Sequence, residues 1–273
     1  MTAHVSGNTA GLSGGGIYIN GGTFTINNSI VSGNSATVTG GGITNSGVAT
    51  LLLSNSTVSG NTASSGSGIF NFPVPSVELI NTTIAFNEAS GAGSGIHNDG
   101  DVNDITLVNT LLASNTPEDC TGAVTSLGNN LDSDGTCGVT TGNANLGALG
   151  DNGGPTETHA LLAGSAAINA GDNTVCGTDS APFDQRGDGF ARISGGVCDI
   201  GAFEVQAAPP TPPDDNEEDD EDTQDEDVED FPTATPTRTP TPAPTATPVP
   251  AATLPVESMG AVTPPATGNA GLR

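Results

Sequence analysis

The sequence predicts an all-β fold: a right-handed single-stranded parallel β-helix, which is a solenoid, with an irregular C-terminal cap and a disordered tail. The first observation is a repeat with a period of about 27 residues over four coils, and periods in this range are typical of solenoids. The second is that four aligned columns are apolar at all 16 positions. These columns are Ile17, Ile43, Ile69 and Ile96; Phe24, Leu51, Val77 and Ile105; Ile26, Leu53, Leu79 and Leu107; and Val31, Val58, Ile84 and Leu112.

The repeating segments are expected to be strands rather than helices. Between the second and third columns lies a variable position, occupied by Thr25, Leu52, Glu78 and Thr106. This alternation has the period of a strand with one buried face. The coils are rich in Gly, Asn and Thr, which are poor helix formers, and Asn and Gly tolerate the left-handed backbone of tight corners. Each coil should therefore contain two or three short strands that stack on those of the next coil.

Asparagine also recurs in columns. The two columns are Asn28, Asn55, Asn81 and Asn109, and Asn34, Asn61, Asn87 and Asn115. Stacked asparagines can form hydrogen-bonded ladders that satisfy the backbone of the turns. We interpret them as structural ladders rather than as ligand-binding residues.

The chain is expected to have three parts. Residues 1–115 contain the coils, residues 116–205 form an irregular disulfide-containing cap, and residues 206–273 form a disordered acidic, Pro/Thr-rich stalk. Of the 31 acidic residues, 13 fall between positions 214 and 230, and 14 of the 19 prolines lie at or after position 209. Such a composition cannot bury a core, and Pro-rich segments are extended.

Charge and hydropathy limit the partners. The formal net charge of −27 opposes binding to a phosphate backbone, so we expect no nucleic-acid partner. The sequence contains no run of 18 apolar residues, so we expect no direct membrane span. A monomer that contacts a glycan or a cell-surface ligand is consistent with both observations.

The four cysteines lie outside the regular coils and form no CxxC pair, so a zinc or redox motif is disfavoured. Two disulfides are expected in the cap. Proximity in sequence favours Cys120 with Cys137 and Cys176 with Cys198, although four cysteines allow three pairings. Disulfides form in oxidising compartments, so we predict an extracellular or cell-surface protein.

The residue types needed for polysaccharide cleavage are scarce. Lyases that remove a proton next to a uronate use Lys or Arg beside carboxylates, and hydrolases use paired carboxylates. The chain has no Lys, and residues 1–115 contain no Arg. The coil carboxylates are Glu78, Glu88, Asp99, Asp101 and Asp104. We therefore predict no catalytic residues and no enzyme.

The corner before the second apolar column is longest in the fourth coil. Solenoid insertions collect on one edge, which is often the binding edge. A ligand loop is therefore predicted, with His97, Asp99, Asp101 and Asp104 as its residues, against the alternative of a polar turn. No cofactor or metal site is expected. Ca²⁺ is the ion that residues 99–104 or 130–135 would take. For the second segment, Thr141 stands where a calcium loop needs Glu.

Two sets of motifs carry a resemblance. The Gly-Gly-Gly-Ile and Ser-Gly-Asn elements resemble the right-handed β-helix of pectin-lyase-like proteins and the repeats of polymorphic outer-membrane proteins. Residues 146–171, 184–187 (DQRG) and 198–204 (CDIGAFE) resemble the choice-of-anchor Q module. That module follows a β-helix in bacterial surface proteins and precedes an anchoring signal. The chain departs from its pattern at Ala166, where Pro is common, and in RGDGFARISGG.

The resemblance implies a non-catalytic secreted or cell-surface protein for display or adhesion, with glycans or neighbouring surfaces as its contacts. The alternative is a fragment of a polysaccharide lyase or hydrolase whose catalytic coils lie upstream. A spacer without a ligand is a third interpretation. Because residues 5–8 align with residues 31–34, the chain opens at the end of a coil, and upstream coils or an N-terminal cap are expected.

Overall fold

The computed structural model describes residues 2–73, 75–101, 104–176 and 182–207. These residues form a parallel β-solenoid of about four turns. The predicted all-β solenoid is thus confirmed. The predicted disordered stalk lies outside the described residues from position 208 onward.

The strands are short, as the spacing of the apolar columns predicts. In chain order they are β1 (His4–Ser6), β2 (Thr9–Ala10), β3 (Ile17–Asn27), β4 (Ile30–Ser32), β5 (Ser35–Ala36), β6 (Ile43–Ser54), β7 (Thr57–Ser59), β8 (Thr62–Ala63), β9 (Ile69–Asn71), β10 (Ser76–Ile80), β11 (Thr83–Ala85), β12 (Glu88–Ala89), β13 (Ile96–Asn98), β14 (Ile105–Val108), β15 (Leu111–Ala113), β16 (Cys120–Thr121), β17 (Thr125–Gly128), β18 (Leu131–Asp132), β19 (Thr140–Thr141), β20 (Leu146–Gly150) and β21 (Thr158–Leu161). One short helix, α1 (Asn173–Cys176), is present among the described residues.

Three parallel sheets form the sides of the coils. Sheet 1 has the order β1-β4-β7-β11-β15-β18-β19, and sheet 3 has the order β12-β8-β5-β2. Sheet 2 begins with the long strands β3 and β6. In later coils its first half continues as β9, β13 and β16, and its second half as β10, β14 and β17.

The four predicted apolar columns pair in the predicted register, and almost all of their members are buried in one core. Phe24 and Ile17 are the exceptions, and Phe24 is the more exposed of the two, with 43% of its surface accessible. The reason is that β3 pairs only with β6 among the described strands, so its other edge is uncovered. Ile17, on the same strand, is likewise only partly buried.

Parallel stacking continues past residue 115, because β16 to β19 add to sheets 1 and 2 as far as Thr141. The chain then forms the antiparallel pair β20–β21. The segment formed by residues 142–176 and 182–207, here called the lateral module, packs on the outer side of sheet 1. Strands β4, β7, β11 and β15 are consequently buried at every residue.

The lateral module shares a second core with sheet 1. This core contains Leu111, Ala113, Leu131, Ala144, Leu161, Ala167, Ile200 and Phe203. Polar contacts add to it, since Thr57 Oγ1 donates to Gln185 Oε1 at 2.6 Å and the amide of Ala202 donates to Thr83 Oγ1 at 2.9 Å. The module therefore covers the side of the solenoid.

Both disulfides form as sequence proximity favours, with Cys120 bonded to Cys137 and Cys176 bonded to Cys198. Cys120 and Cys137 belong to the solenoid core. Cys176 and Cys198 are fully buried where the lateral module meets Asn109. Among the described residues, there is no helix with the length and apolar character needed to span a membrane.

Candidate functional site

An outward-facing column on the first half of sheet 2 carries aromatic side chains. The paired residues are Tyr18, Thr44, Phe70, His97 and Thr121, one from each successive coil. Each follows a core isoleucine or Cys120, so its side chain points to the opposite face of the sheet. Tyr18 is 52% exposed, His97 is partly exposed and Phe70 is buried.

Phe72 lies beside this column and completes what we call the aromatic face: Tyr18, Phe70, Phe72 and His97. The Phe70 and His97 rings are stacked, with centroids 4.7 Å apart and planes inclined by 13°. The Phe70 and Phe72 centroids are 4.8 Å apart. Phe70 thus contacts two partly exposed rings.

Glycines hold the corner before sheet 2 close against this face. Gly14, Gly66 and Gly93 have φ between 58° and 67°. A Cβ at Gly66 would lie 2.7 Å from the Phe70 Cβ, and one at Gly93 would lie 2.8 Å from the His97 Cβ. Only glycine combines the left-handed backbone with this close approach. The sequence repeat therefore fixes the position of each outward ring.

The predicted ligand loop follows directly from the aromatic face. Asn98 anchors it, because its Nδ2 donates to the Asp101 carbonyl at 2.9 Å. The Asp104 carboxylate accepts the Asp101 amide at 2.7 Å, so it closes the loop. Asp99 and Asp101 are exposed, and His97 stacks on Phe70. The structure therefore places Asp99 and Asp101 at the surface and uses Asp104 inside the loop.

Sequence reasoning missed Tyr18, Phe70 and Phe72, and also a third ladder of Asn45, Asn71 and Asn98 below the loop. In this ladder Asn45 Nδ2 donates to Asn71 Oδ1 at 3.0 Å, and Asn71 Nδ2 donates to Asn98 Oδ1 at 3.1 Å. The signal was present in the sequence. The three asparagines each lie two positions after an isoleucine of the first apolar column, where a search for apolar positions passes over them. The aromatic residues lie one or three positions after that column, where the residue type changes from coil to coil.

The second predicted asparagine column forms a continuous buried ladder. Asn34 Nδ2 donates to Asn61 Oδ1 at 3.0 Å, and Asn61 and Asn87 donate to the next member at 2.9 Å each. Each of these amides also donates to a backbone carbonyl, as Asn61 does to Val31 at 3.0 Å. The ladder ends at Asp119, whose carboxylate accepts from Asn115 Nδ2 at 2.7 Å. These side chains are fully used by the fold.

The first predicted column has a different role. Asn28, Asn55, Asn81 and Asn109 all have φ between 43° and 49°, so they form the left-handed corner between sheets 2 and 1. One rung of the predicted ladder forms, since Asn109 Nδ2 donates to Asn81 Oδ1 at 3.0 Å. Asn55, Asn81 and Asn109 also contact the lateral module. Asn55 Nδ2 donates to the Phe183 carbonyl at 3.4 Å, and Asn109 exchanges two hydrogen bonds with the Asp172 backbone.

Asp119, Asp132 and Asp134 form the one group of three or more metal-ligating side chains among the described residues. Two of them belong to the predicted calcium candidate at 130–135, whereas Asp119 was not foreseen. Asp132 accepts the Asp134 and Cys137 amides at 2.9 and 2.8 Å, and Asp134 accepts the Asp119 amide at 2.8 Å. Burial raises the pKa of Asp132. The carboxylates hold the turn that carries Cys137 through these backbone contacts.

Ser59 and His159 meet where the lateral module covers sheet 1. Ser59 Oγ lies 2.8 Å from His159 Nε2, and His159 Nδ1 lies 2.8 Å from the Gly147 carbonyl oxygen. Such an arrangement also pairs a nucleophile with an oriented base in hydrolases. Here Ser59 is 2% exposed and His159 is 3% exposed. Burial lowers the pKa of His159, and the contact serves as a joint between module and coil.

Five charged side chains are buried together in the lateral module: Asp184, Arg186, Arg192, Asp199 and Glu204. They come from the DQRG and CDIGAFE motifs and from the segment between them. Arg186 forms a 2.6 Å ion pair with Asp184. Its guanidinium lies between two aromatic rings, 4.0 Å from the Phe190 centroid and 3.8 Å from the Phe203 centroid.

Comparisons with known proteins assign no family. No family model, no curated protein and no solved structure matches this chain. The parallel solenoid and the two disulfides are therefore established from the structure alone.

Burial governs protonation in the buried cluster of charged side chains that contains Arg192, Asp199 and Glu204. It raises the pKa of Glu204 to about 7, and the Asp199 carboxylate acts in the same direction. Both Glu204 carboxylate oxygens accept backbone amides, from Ser194 at 2.9 Å and from Asp199 at 2.8 Å. Arg192 donates to the carbonyls of Asp199 and Gly201 at 2.8 and 2.6 Å. The cluster thus fastens the C-terminal end of the lateral module internally.

Proposed function

We propose that this protein is a non-catalytic display or adhesion module, located outside the cell or at its surface, and that its aromatic face contacts glycans. The aromatic face is the observation that carries the proposal. Partly exposed rings on rigid, stacked strands offer sugar rings a preorganised surface, and such preorganisation lowers the entropic cost of binding.

Two further observations support the location. Disulfides persist in oxidising compartments, and both pairs are formed in this fold. The motifs at 184–187 and 198–204 resemble the choice-of-anchor Q module, and a Pro/Thr-rich segment follows them. A rigid solenoid followed by a segment of this composition suits display at a distance from an attachment point.

The absence of catalysis is supported by how reactive side chains are used. The Asp119, Asp132 and Asp134 carboxylates accept backbone amides, and the Ser59–His159 pair is buried under the lateral module. Asp99 and Asp101 are exposed without a neighbouring Lys or Arg in the coils. General acid–base chemistry on a glycan needs groups that reach the substrate.

A glycan array with the full chain tests the proposal, with and without Ca²⁺, scoring both retention and released product. We expect retention without cleavage, and weaker retention by Phe72→Ala than by the control Val48→Ala, which changes an exposed residue elsewhere on sheet 2. Released product would contradict the non-catalytic proposal and favour a polysaccharide lyase or hydrolase. Failure to retain any glycan would favour the spacer.

A further inference from the structure

The ionisable groups around the aromatic face are mostly acidic. Residues 1–115 contain five carboxylates and neither Lys nor Arg. Three of these carboxylates, those of Asp99, Asp101 and Asp104, lie in the loop that borders the aromatic face. Arg186 and Arg192, the two arginines among the described residues, are buried in the lateral module. Among the described side chains of the face and its loop, His97 is the one that can carry a positive charge, against three carboxylates.

The rings add a second preference of the same sign. The face of an aromatic ring is negative, and it attracts ammonium groups as well as the C–H groups of sugars. Tyr18 and Phe70 lie two coils apart in one column, which corresponds to about 10 Å at the spacing of parallel strands. Phe70 itself is buried, and the partly exposed Phe72 ring beside it offers the second place along an extended oligosaccharide. Asp99 lies next to that place, because its amide donates to the Asn71 carbonyl at 2.9 Å.

We infer that the aromatic face binds glycans that carry free amino groups, with sugar rings on Tyr18 and Phe72 and ammonium groups at Asp99 and Asp101. This inference rests on the proposed function and names its ligand class. A polyuronate presents carboxylates to the same loop, and like charges at short range repel. The face should therefore reject acidic glycans.

Three oligosaccharides of equal length test the inference on the full chain by calorimetry at mildly acidic pH. They are a β-1,4-linked glucosamine oligomer, its N-acetylated form and an oligogalacturonate. We expect the glucosamine oligomer to bind most tightly, with an affinity that falls as salt is raised, because screening weakens exposed charge pairs. The oligogalacturonate should not bind.

Two matched double variants distinguish binding at the aromatic face from general attraction by the net negative charge. That charge includes 13 acidic residues between positions 214 and 230. Asp99→Asn/Asp101→Asn and Glu88→Gln/Glu157→Gln each remove two exposed carboxylates. The first pair should lose about tenfold in affinity for the glucosamine oligomer, since two exposed ion pairs contribute about 1.4 kcal/mol together. The second should lose less than about twofold. Circular dichroism checks that both fold.

Tyr18→Leu distinguishes stacking of sugar rings from attraction between charges, because it keeps an apolar side chain and removes the aromatic ring. It should weaken binding of the glucosamine oligomer more than binding of oligo-lysine, because oligo-lysine loses only the attraction between its ammonium groups and the ring. Equal losses from the two double variants, or an equal effect of Tyr18→Leu on oligo-lysine, would overturn the inference. Binding of oligogalacturonate, or equal binding of the N-acetylated oligomer, would overturn it while leaving the proposed glycan adhesion intact. No binding of any of the three would contradict both.

Discussion

At the scale of single residues, Glu204 makes the stability of the lateral module depend on pH. Its side chain is fully buried, and burial raises its pKa from 4.5 to about 7. The folded state therefore holds this proton more tightly than the unfolded state does. The contribution to stability is fully present below pH 4.5 and is lost as pH rises to about 7.

We expect Glu204→Gln to remove this dependence. In the wild type, ionisation of Glu204 lowers the free energy of unfolding as pH rises from 4.5 to 7, by at most about 1.4 kcal/mol per pH unit. His159 acts oppositely, because its lowered pKa costs stability as pH falls below about 6.5. The difference between variant and wild type in urea unfolding isolates Glu204, and Glu78→Gln is the exposed control. Identical pH profiles for Glu204→Gln and wild type would refute the assignment.

Glycine at the corner before sheet 2 is a second residue-scale requirement. Gly66 and Gly33 both have left-handed φ, of 58° and 62°. A Cβ at Gly66 would lie 2.7 Å from the Phe70 Cβ, whereas a Cβ at Gly33 would have no neighbour within 4 Å. Gly33→Ala should cost about 1 kcal/mol from backbone strain alone. Gly66→Ala should cost about 2–4 kcal/mol because overpacking is added. Equal losses in thermal unfolding would show that the contact with Phe70 is relaxed easily.

At the scale of elements, the ladders and columns carry the stacking. Asn61 joins three coils, because it accepts from Asn34 and donates to Asn87 and to the Val31 carbonyl. Its neighbours would keep buried donors and acceptors without partners if the amide were removed. Loss of such partners is costly in a dry interior.

Asn61→Ala should therefore lower the free energy of unfolding by about 3 kcal/mol. Asn8→Ala is the matched control, since Asn8 donates to Asn34 Oδ1 at 2.9 Å but is exposed at the end of the same ladder. It should cost less than about 1 kcal/mol. Urea unfolding measures both, and a similar cost at the two positions would mean that burial of the ladder does not matter.

The candidate site was only partly predictable at this scale. An insertion at a solenoid corner is visible in a self-alignment, so the loop with Asp99, Asp101 and Asp104 was found. The outward residues Tyr18, Phe70 and Phe72 were not, because a period-2 pattern identifies the buried positions and leaves the exposed ones unconstrained. Their side chains become a surface only when the coils stack.

At the scale of the whole molecule, the region after residue 115 differs most from the expected cap. It first adds strands to the stack and then returns along the outer side of sheet 1. The Cys176–Cys198 disulfide lies at this joint, next to Asn109 and Asn81. This disulfide therefore crosslinks two segments of the lateral module at the place where the module contacts the coils.

Removing this bond should loosen the module before the coils. Cys176→Ser/Cys198→Ser removes a crosslink between residues 22 positions apart. We expect the free energy of unfolding to fall by about 3 kcal/mol, because the unfolded chain gains conformational entropy. Amide exchange should rise in the lateral module while β6 and β10 stay protected. The companion variant Cys120→Ser/Cys137→Ser should instead raise exchange in β16 and β18. Uniform exchange changes in both variants would show that module and solenoid unfold as one unit.

A self-alignment of the sequence was enough to find the period, the apolar columns and the strand register, and proximity in sequence favoured the disulfide pairing that forms. The physical reason is that stacking contacts join equivalent positions one coil apart, so a self-alignment contains them. The three-dimensional structure was needed to place the lateral module, and it brings Ser59 to His159 across 100 residues of sequence. It also buried the charges of the DQRG and CDIGAFE motifs together. Those contacts join unlike segments without a period, and their partners are selected by shape and burial once the solenoid has formed.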